Sequence, residues 1–302
     1  MATNDFLPFG GGTGSNVLTQ TAYAELAART AGFSSGLAKS AELNKVWRQS
    51  SLMTAALAQF AADQTGLDML DDGSTATLIA NIKAAVKTLS GAQVFNSSGS
   101  FTVPPGVTQV RVTAVAGGGG SGSSLSVSAG TIQTGASGGG AGQSIVRQSY
   151  AVTPGQVIAI TIGVGGSAAP AGGANGGAGG NTIIGSLVTL TGGSGGVLSN
   201  TAVAPAIPNA VLGGAGFPRG EPAGTVSSGG GGGGRGGAGG SSIFGQGGFP
   251  APGTNGGATG GGTNAAANTG AGGGGAGGSF GTAASVGAAG GAGGSGCVIF
   301  EW

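Results

Sequence analysis

The sequence predicts an α+β protein of two domains, a helical region over residues 1–91 and an all-β, glycine-rich region over residues 92–302. Two observations predict this division. The first 90 residues hold 13 of the 19 charged residues, whereas the rest of the chain holds 67 of the 75 glycines. Apolar residues follow helical spacing in the first region, and they alternate with polar residues in short stretches of the second.

Three helices are expected in the first region. The first, Thr19–Thr30, starts at a residue type that caps helices, and the second, Ser40–Gln64, ends close to a glycine. The third, Ser74–Leu89, follows Asp71 and Asp72, whose charges suit a helix N-terminus. We expect this pair of carboxylates to cap the helix rather than to act as an acid and a base.

The second helix carries the 3–4 apolar spacing of a coiled coil, at Leu43, Val46, Ser50, Met53, Leu57 and Phe60. The third helix repeats the spacing more briefly, at Ile79, Ile82, Val86 and Leu89. An amphipathic helix that packs on its own chain has a similar pattern and is the alternative. Because about 90 residues make a small independent core, and Ser50 weakens the core of a monomer, we expect residues 40–89 to associate with other copies.

Six short stretches in the second region have β character, and we expect them to form one β sandwich. They are Phe101–Val103, Val107–Ala116, Ser144–Val152, Val157–Val164, Thr182–Leu190 and Cys297–Trp302.

Long glycine tracts separate these stretches, as at residues 172–180, 229–240 and 270–278. Disorder is the usual state of such compositions, but these tracts have almost no charge and contain alanine. The alternative is a set of polyglycine-II-like helices with three residues per turn and no internal hydrogen bonds. Glycine lets neighbouring backbones approach closely enough to bond one another directly, so we expect a compact bundle.

The composition argues against most catalytic chemistry. The chain has no histidine and one cysteine, Cys297, which excludes histidine bases and cysteine-rich metal sites. We therefore expect no enzyme, cofactor or metal. A net charge of +1 gives no reason to expect nucleic acid, and no apolar run reaches membrane-spanning length. The first residues show no secretion signal, so we expect a chain that begins near Met1 and folds in a reducing cytoplasm.

One segment, Ser199–Ser228, combines proline and valine with charge in a region that has little charge, and further phenylalanines follow it. Aromatic and arginine side chains dominate binding hot spots. The candidates for binding a partner are Phe217, Arg219, Glu221, Phe244 and Phe249. The alternative is that these side chains fill gaps in the bundle or in an interface between copies.

The N-terminal region contains five distinctive motifs, at Asn4–Phe9, Leu18–Tyr23, Arg29–Phe33, Leu43–Ser50 and Leu70–Gly73. Together they resemble tail fibre proteins of bacteriophages that infect Gram-negative bacteria. Residues 99–115, with the sequence Ser100-Phe101-Thr102-Val103-Pro104, resemble the glycine-rich domain that often ends such fibres. The chain lacks the extended repetitive shaft of long fibres.

The resemblance implies a homotrimeric fibre of the virion. Its N-terminal part would attach to the tail baseplate, and its C-terminal part would bind a pilus, a lipopolysaccharide or an outer-membrane protein of the host. A structural baseplate or connector protein that docks a separate adhesin is the alternative. An ice-binding or extracellular glycine bundle fits the tracts but not the N-terminal motifs.

Overall fold

The computed structural model describes residues 2–37, 39–88, 90–203, 210–224, 232–280 and 283–302. The chain forms two compact units. Unit 1 comprises Met1–Gly91 with Pro104–Val107, and unit 2 comprises Ala92–Val103 with Thr108–Trp302.

Unit 1 contains the four helices described in the chain: α1 (Gln20–Ala24), α2 (Ala28–Ala31), α3 (Ser40–Thr65) and α4 (Thr75–Thr88). The prediction of a single first helix was wrong, because α1 and α2 are separate. Thr19 does cap α1, since its Oγ1 accepts a hydrogen bond from the amide of Ala22 at 3.2 Å. Neither short helix buries a residue, so no packing supports a longer one.

The long helix α3 follows its prediction to within one residue. It ends at Gly66, whose φ of 69° lies in the left-handed region that favours glycine. Ser74 precedes α4, and its Oγ accepts a hydrogen bond from the amide of Thr77 at 3.4 Å. Leu89, the predicted last residue of this helix, lies outside the described residues.

The core of unit 1 is small and consists mainly of alanine. Its buried members are Ala58, Ala61, Ala62, Met69 and Ala85. Larger side chains of the predicted association surface lie outside this core: Met53 is 71% exposed and Leu57 is 48% exposed. Leu43, Val46 and Phe60 are half-buried, and Ser50 is exposed. Association through this surface stays a prediction.

Unit 2 contains two antiparallel four-stranded sheets. Their strands are β1 (Ala92–Phe95), β2 (Gly99–Thr102), β3 (Gln109–Val115), β5 (Ser144–Ala151), β6 (Val157–Thr161), β7 (Thr182–Ile184), β8 (Val188–Leu190) and β12 (Cys297–Glu301). The first sheet has the order β1-β12-β3-β5, and the second has the order β2-β6-β7-β8. The predicted β content of this region is confirmed.

The prediction of one strand over Thr182–Leu190 was wrong, because these residues form the hairpin β7–β8. Gly185 follows β7 with a φ of 47°, a left-handed conformation that suits a turn. Strand β1 and four short strands were not predicted from the sequence. The latter are β4 (Thr131–Gln133), β9 (Thr201–Val203), β10 (Thr254–Asn255) and β11 (Ser279–Phe280).

The two sheets meet through aromatic side chains. The rings of Phe101 in β2 and Phe300 in β12 stack with centroids 4.3 Å apart, and both side chains are buried. In β3, Val110 and Val112 are buried while Arg111 between them is exposed, which is the alternation predicted for a sheet with one buried face.

The glycine tracts form a hydrogen-bonded bundle, as segment 117–124 shows. Gly117, Gly118 and Gly119 donate to the carbonyl oxygens of three different segments, at Gly180, Gly294 and Gly140, over 2.8–3.0 Å. Gly120 donates again to the segment that Gly117 contacts, at Gly177. A repeat of three residues per turn is that of polyglycine II, so successive amides point in three directions.

The carbonyl oxygens of segment 117–124 complete the arrangement. Those of Gly117, Gly118 and Gly119 accept from the amides of Gly193, Gly166 and Gly273. The segment is therefore bonded to six neighbours, three through its amides and three through its carbonyl oxygens.

Segments 135–142 and 270–278 are each bonded to six neighbours in the same way, and the three inner segments bond one another. All three are fully buried. Within the described residues, nine outer segments surround them, each bonded to the next. The outer segments are 163–172, 174–181, 191–200, 211–217, 218–224, 232–240, 247–253, 259–266 and 287–296.

The bundle thus has a core of backbone rather than of large side chains. A Cβ on Gly120 would lie 2.0 Å from the carbonyl oxygen of Ser167, a separation that real Cβ atoms do not reach. The exclusion of side chains allows the peptide groups to satisfy one another, which a buried backbone requires.

Candidate functional site

The bundle has two different ends. At one end, here called the sheet end, glycine segments continue directly into the strands of the two sheets, as at Val115 and Cys297. The described residues that join segments at the other end, here called the loop end, include 125–134, 254–258, 279–280 and 283–286.

A buried glutamine ties the loops of this end together. The Nε2 of Gln133 donates to the Oγ of Ser199 at 2.8 Å and to the carbonyl oxygen of Leu125 at 3.0 Å. Its Oε1 accepts from the amide and the hydroxyl of Ser279, at 3.3 and 3.4 Å. One side chain thereby satisfies groups from three segments. Gln133 was not predicted as a structural residue, because no local motif distinguishes it from a surface glutamine.

Charged and aromatic residues lie together on one side of the bundle, which we call the arginine face. It consists of segments 218–224, 232–240 and 247–253, which are bonded in that order: Glu221 and Gly224 donate to Ala238 and Arg235, and Gly236 and Gly239 donate to Ala251 and Gly248. Its exposed side chains include Arg219, Pro222, Arg235, Phe249 and Pro252.

Three of the five candidate receptor-binding residues lie on this face. Arg219 is exposed, and a carboxylate oxygen of Glu221 accepts a hydrogen bond from the amide of Ala238 at 3.2 Å, across to the next segment. Phe249 is 66% exposed, and the register of the segments sets it level with Ala238. Arg235, which was not a candidate, adds a second exposed cation to the face.

The other two candidates lie next to this face. Phe217 is 56% exposed and immediately precedes segment 218–224, with its amide bonded to the carbonyl oxygen of Ala141. Phe244 is half-buried in the turn that joins segments 232–240 and 247–253. Residues 204–209 and 225–228 of the candidate segment Ser199–Ser228 lie outside the described residues.

The remaining sides of the bundle differ in chemistry. The six other outer segments contain no charged residue. Apart from Phe217, the last residue of segment 211–217, their exposed positions carry small, polar or aliphatic side chains, such as Asn175, Ser194, Val197, Ala215 and Val164. Charged side chains therefore distinguish the arginine face from the other outer segments of the bundle.

Among the described residues, neither a reactive thiol nor a metal cluster is found. Burial raises the pKa of the Cys297 thiol to about 11, so this side chain is a neutral core residue at physiological pH. In the described part of the chain, no three side chains of the metal-binding types stand together. Nor does any described helix combine the length and apolar character needed to cross a membrane.

Comparison with known proteins places the second region in a family. No curated protein matches the sequence. A family model described as a glycine-rich domain matches residues 95–302, which is more than half of the chain and covers both the sheets and the glycine bundle. The chain belongs to this glycine-rich domain family.

Proposed function

We propose that this protein is a bacteriophage tail fibre of the virion, and that it binds the surface of the host cell during adsorption. Unit 1 would attach it to the tail baseplate and associate three copies, and unit 2 would contact the receptor. The observation that carries the proposal is the arginine face, where Arg219, Arg235 and Phe249 stand exposed on a scaffold of bonded backbones.

The physical properties of the bundle support a role in binding. Its peptide groups already bond one another, so a surface built on it loses little conformational freedom when a partner binds. The resemblance of the N-terminal motifs to tail fibre proteins supports the attachment to a phage, and the glycine-rich family of the second region is compatible with a fibre domain. Several fibres on one baseplate would multiply a weak contact, because each later contact is intramolecular and raises the apparent affinity about 10²- to 10⁴-fold.

The experiment compares two surfaces of the same bundle. Purified full-length protein carrying Arg219→Ala, Arg235→Ala and Phe249→Ala would be tested for binding to Gram-negative cells and for blocking phage adsorption. The matched control carries Val197→Ala and Leu212→Ala, two exposed residues of an uncharged side. We expect the first variant to bind at least about tenfold more weakly and the control to bind like the unchanged protein.

Equal binding by both variants would remove the arginine face from the proposal. If the unchanged protein binds no strain that the phage infects, the structural alternative stands, in which the chain connects the baseplate to a separate adhesin.

A further inference from the structure

Unit 1 contains an open cavity between its N-terminal segment and helix α3. The cavity has a volume of about 680 Å³. Phe6, Leu7, Phe9 and Trp47 form its apolar lining. The rings of Phe9 and Trp47 meet edge to face with centroids 5.8 Å apart. Leu7 is 76% exposed and Trp47 is 54% exposed. Burying such large apolar side chains away from water would lower the free energy.

The hydroxyl groups that line the cavity are already bonded within unit 1. The Oγ of Ser51 accepts from the amide of Phe9 at 2.8 Å and donates to the carbonyl oxygen of Arg48 at 3.1 Å. The hydroxyl of Thr54 donates to the carbonyl oxygen of Ser50 at 2.9 Å. Ser51 thereby holds the N-terminal segment on the helix. Because both hydroxyls already have partners, they leave the cavity suited to an apolar side chain.

Two carboxylates lie at the same cavity, Asp5 and Asp71. They are adjacent, since the amide of Asp71 donates to the Oδ2 of Asp5 at 3.2 Å. Neither forms a salt bridge with a described residue, and no cation lines the cavity. Arg48, the neighbour of Trp47 in sequence, packs beside Gly10. The cavity therefore combines an apolar lining with two carboxylates, Asp5 and Asp71, that no cation lining the cavity neutralises.

We propose that this cavity receives an apolar side chain of a partner protein whose neighbouring lysine or arginine pairs with Asp5 and Asp71. The volume lies in the range of pockets that enclose a small ligand, and charge complementarity selects a basic partner segment over an acidic one. The inference deepens the proposed function, since it gives the chemistry of the segment to which unit 1 attaches.

A peptide selection tests this inference without a virion, so failure of the tail-fibre proposal would not decide its outcome. A library of random heptapeptides would be selected on the full-length protein. We expect enriched peptides to place an aliphatic or aromatic residue within two positions of a lysine or arginine. Their binding should change the fluorescence of Trp47, measured with Trp302→Phe as background.

The variants then locate the peptide. Asp5→Asn with Asp71→Asn should raise the dissociation constant about tenfold at low salt, whereas Asp63→Asn, on α3 outside the cavity, should leave it unchanged. Enriched peptides without basic residues, or an affinity that ignores the double variant, would overturn the proposal. So would the absence of any peptide that alters Trp47, or a change in oligomeric state of the double variant, which would mean that another copy occupies the cavity.

Discussion

The amide of Gly119 donates to the carbonyl oxygen of Gly140 at 2.8 Å, which joins two buried segments with no side chain between them. The same close approach leaves no room for a methyl group, since a Cβ on the neighbouring Gly139 would lie 2.1 Å from the carbonyl oxygen of Gly119. The glycine content of unit 2 thus follows from the spacing of its backbones.

Gly139→Ala should destabilise unit 2 by about 3 kcal/mol or more, because backbone atoms of two inner segments would have to separate. The matched control is Gly224→Ala, where the nearest atoms to the new Cβ lie 3.4 Å away, an ordinary contact. We expect the control to change the free energy of unfolding by less than about 1 kcal/mol. Thermal unfolding followed by circular dichroism makes the comparison, and equal effects would contradict a close-packed backbone core.

Much of the fold was predictable because its signals are local. Helical spacing of apolar residues and Gly66 indicate where α3 begins and ends. The alternation of apolar and polar residues in β3 indicates a strand with one buried face. The glycine tracts gave a choice between disorder and a bundle. Their hydrogen bonds join residues far apart in sequence, as between Gly118 and Gly294, so composition could indicate such bonds but not assign partners.

The candidate site was predictable in part. Scarce charge and exposed aromatic rings made Arg219, Glu221 and Phe249 candidates, and these three share the arginine face. Arg235 stands in a glycine tract, and only the register of the bundle brings it to that face. Gln133 forms hydrogen bonds with Ser199 and Ser279, which lie more than 60 residues away in the chain. No local sequence pattern indicates such a contact.

Gln133→Leu should loosen the loop end while leaving the inner segments intact. The substitution leaves buried groups of Leu125, Ser199 and Ser279 without the bonds that Gln133 makes, at a cost of about 2–4 kcal/mol. Hydrogen exchange should rise at residues 125–133 and 279–280 but not at 117–124. Gln148→Leu, at an exposed position of β5, is the control and should change neither. Exchange that rises throughout unit 2 would show that Gln133 supports the whole bundle.

Cys297 should make the stability of unit 2 sensitive to alkaline pH. Burial raises its pKa from 9.0 to about 11, so the unfolded chain loses the thiol proton at a lower pH than the folded chain. Stability is therefore unaffected below about pH 9 and falls by up to about 2 kcal/mol as the pH approaches 11. Denaturant unfolding of the protein and of Cys297→Ala isolates this effect, and parallel pH profiles would contradict it.

The exposed apolar residues of α3 should hold copies together. Met53→Glu with Leu57→Glu places two charges at positions that are exposed in the single chain, so the fold of unit 1 should survive. Sedimentation equilibrium should show the unchanged protein as a trimer and the variant as a monomer. Ala80→Glu, an exposed position of α4 outside the apolar spacing, should remain a trimer. If the unchanged protein is a monomer, the prediction of association is wrong, and α3 is an amphipathic helix that packs on its own chain.

Hydrogen exchange of the glycine tracts in the full-length protein tests the central claim most directly. Within unit 2, segments 117–124, 135–142 and 270–278 are buried. Most of their amides donate hydrogen bonds to carbonyl oxygens of neighbouring segments. We predict that these three segments are strongly protected and that they exchange together, at the rate of cooperative unfolding. Exchange as fast as that of an unstructured glycine-rich peptide would contradict the bundle and the binding surface built on it.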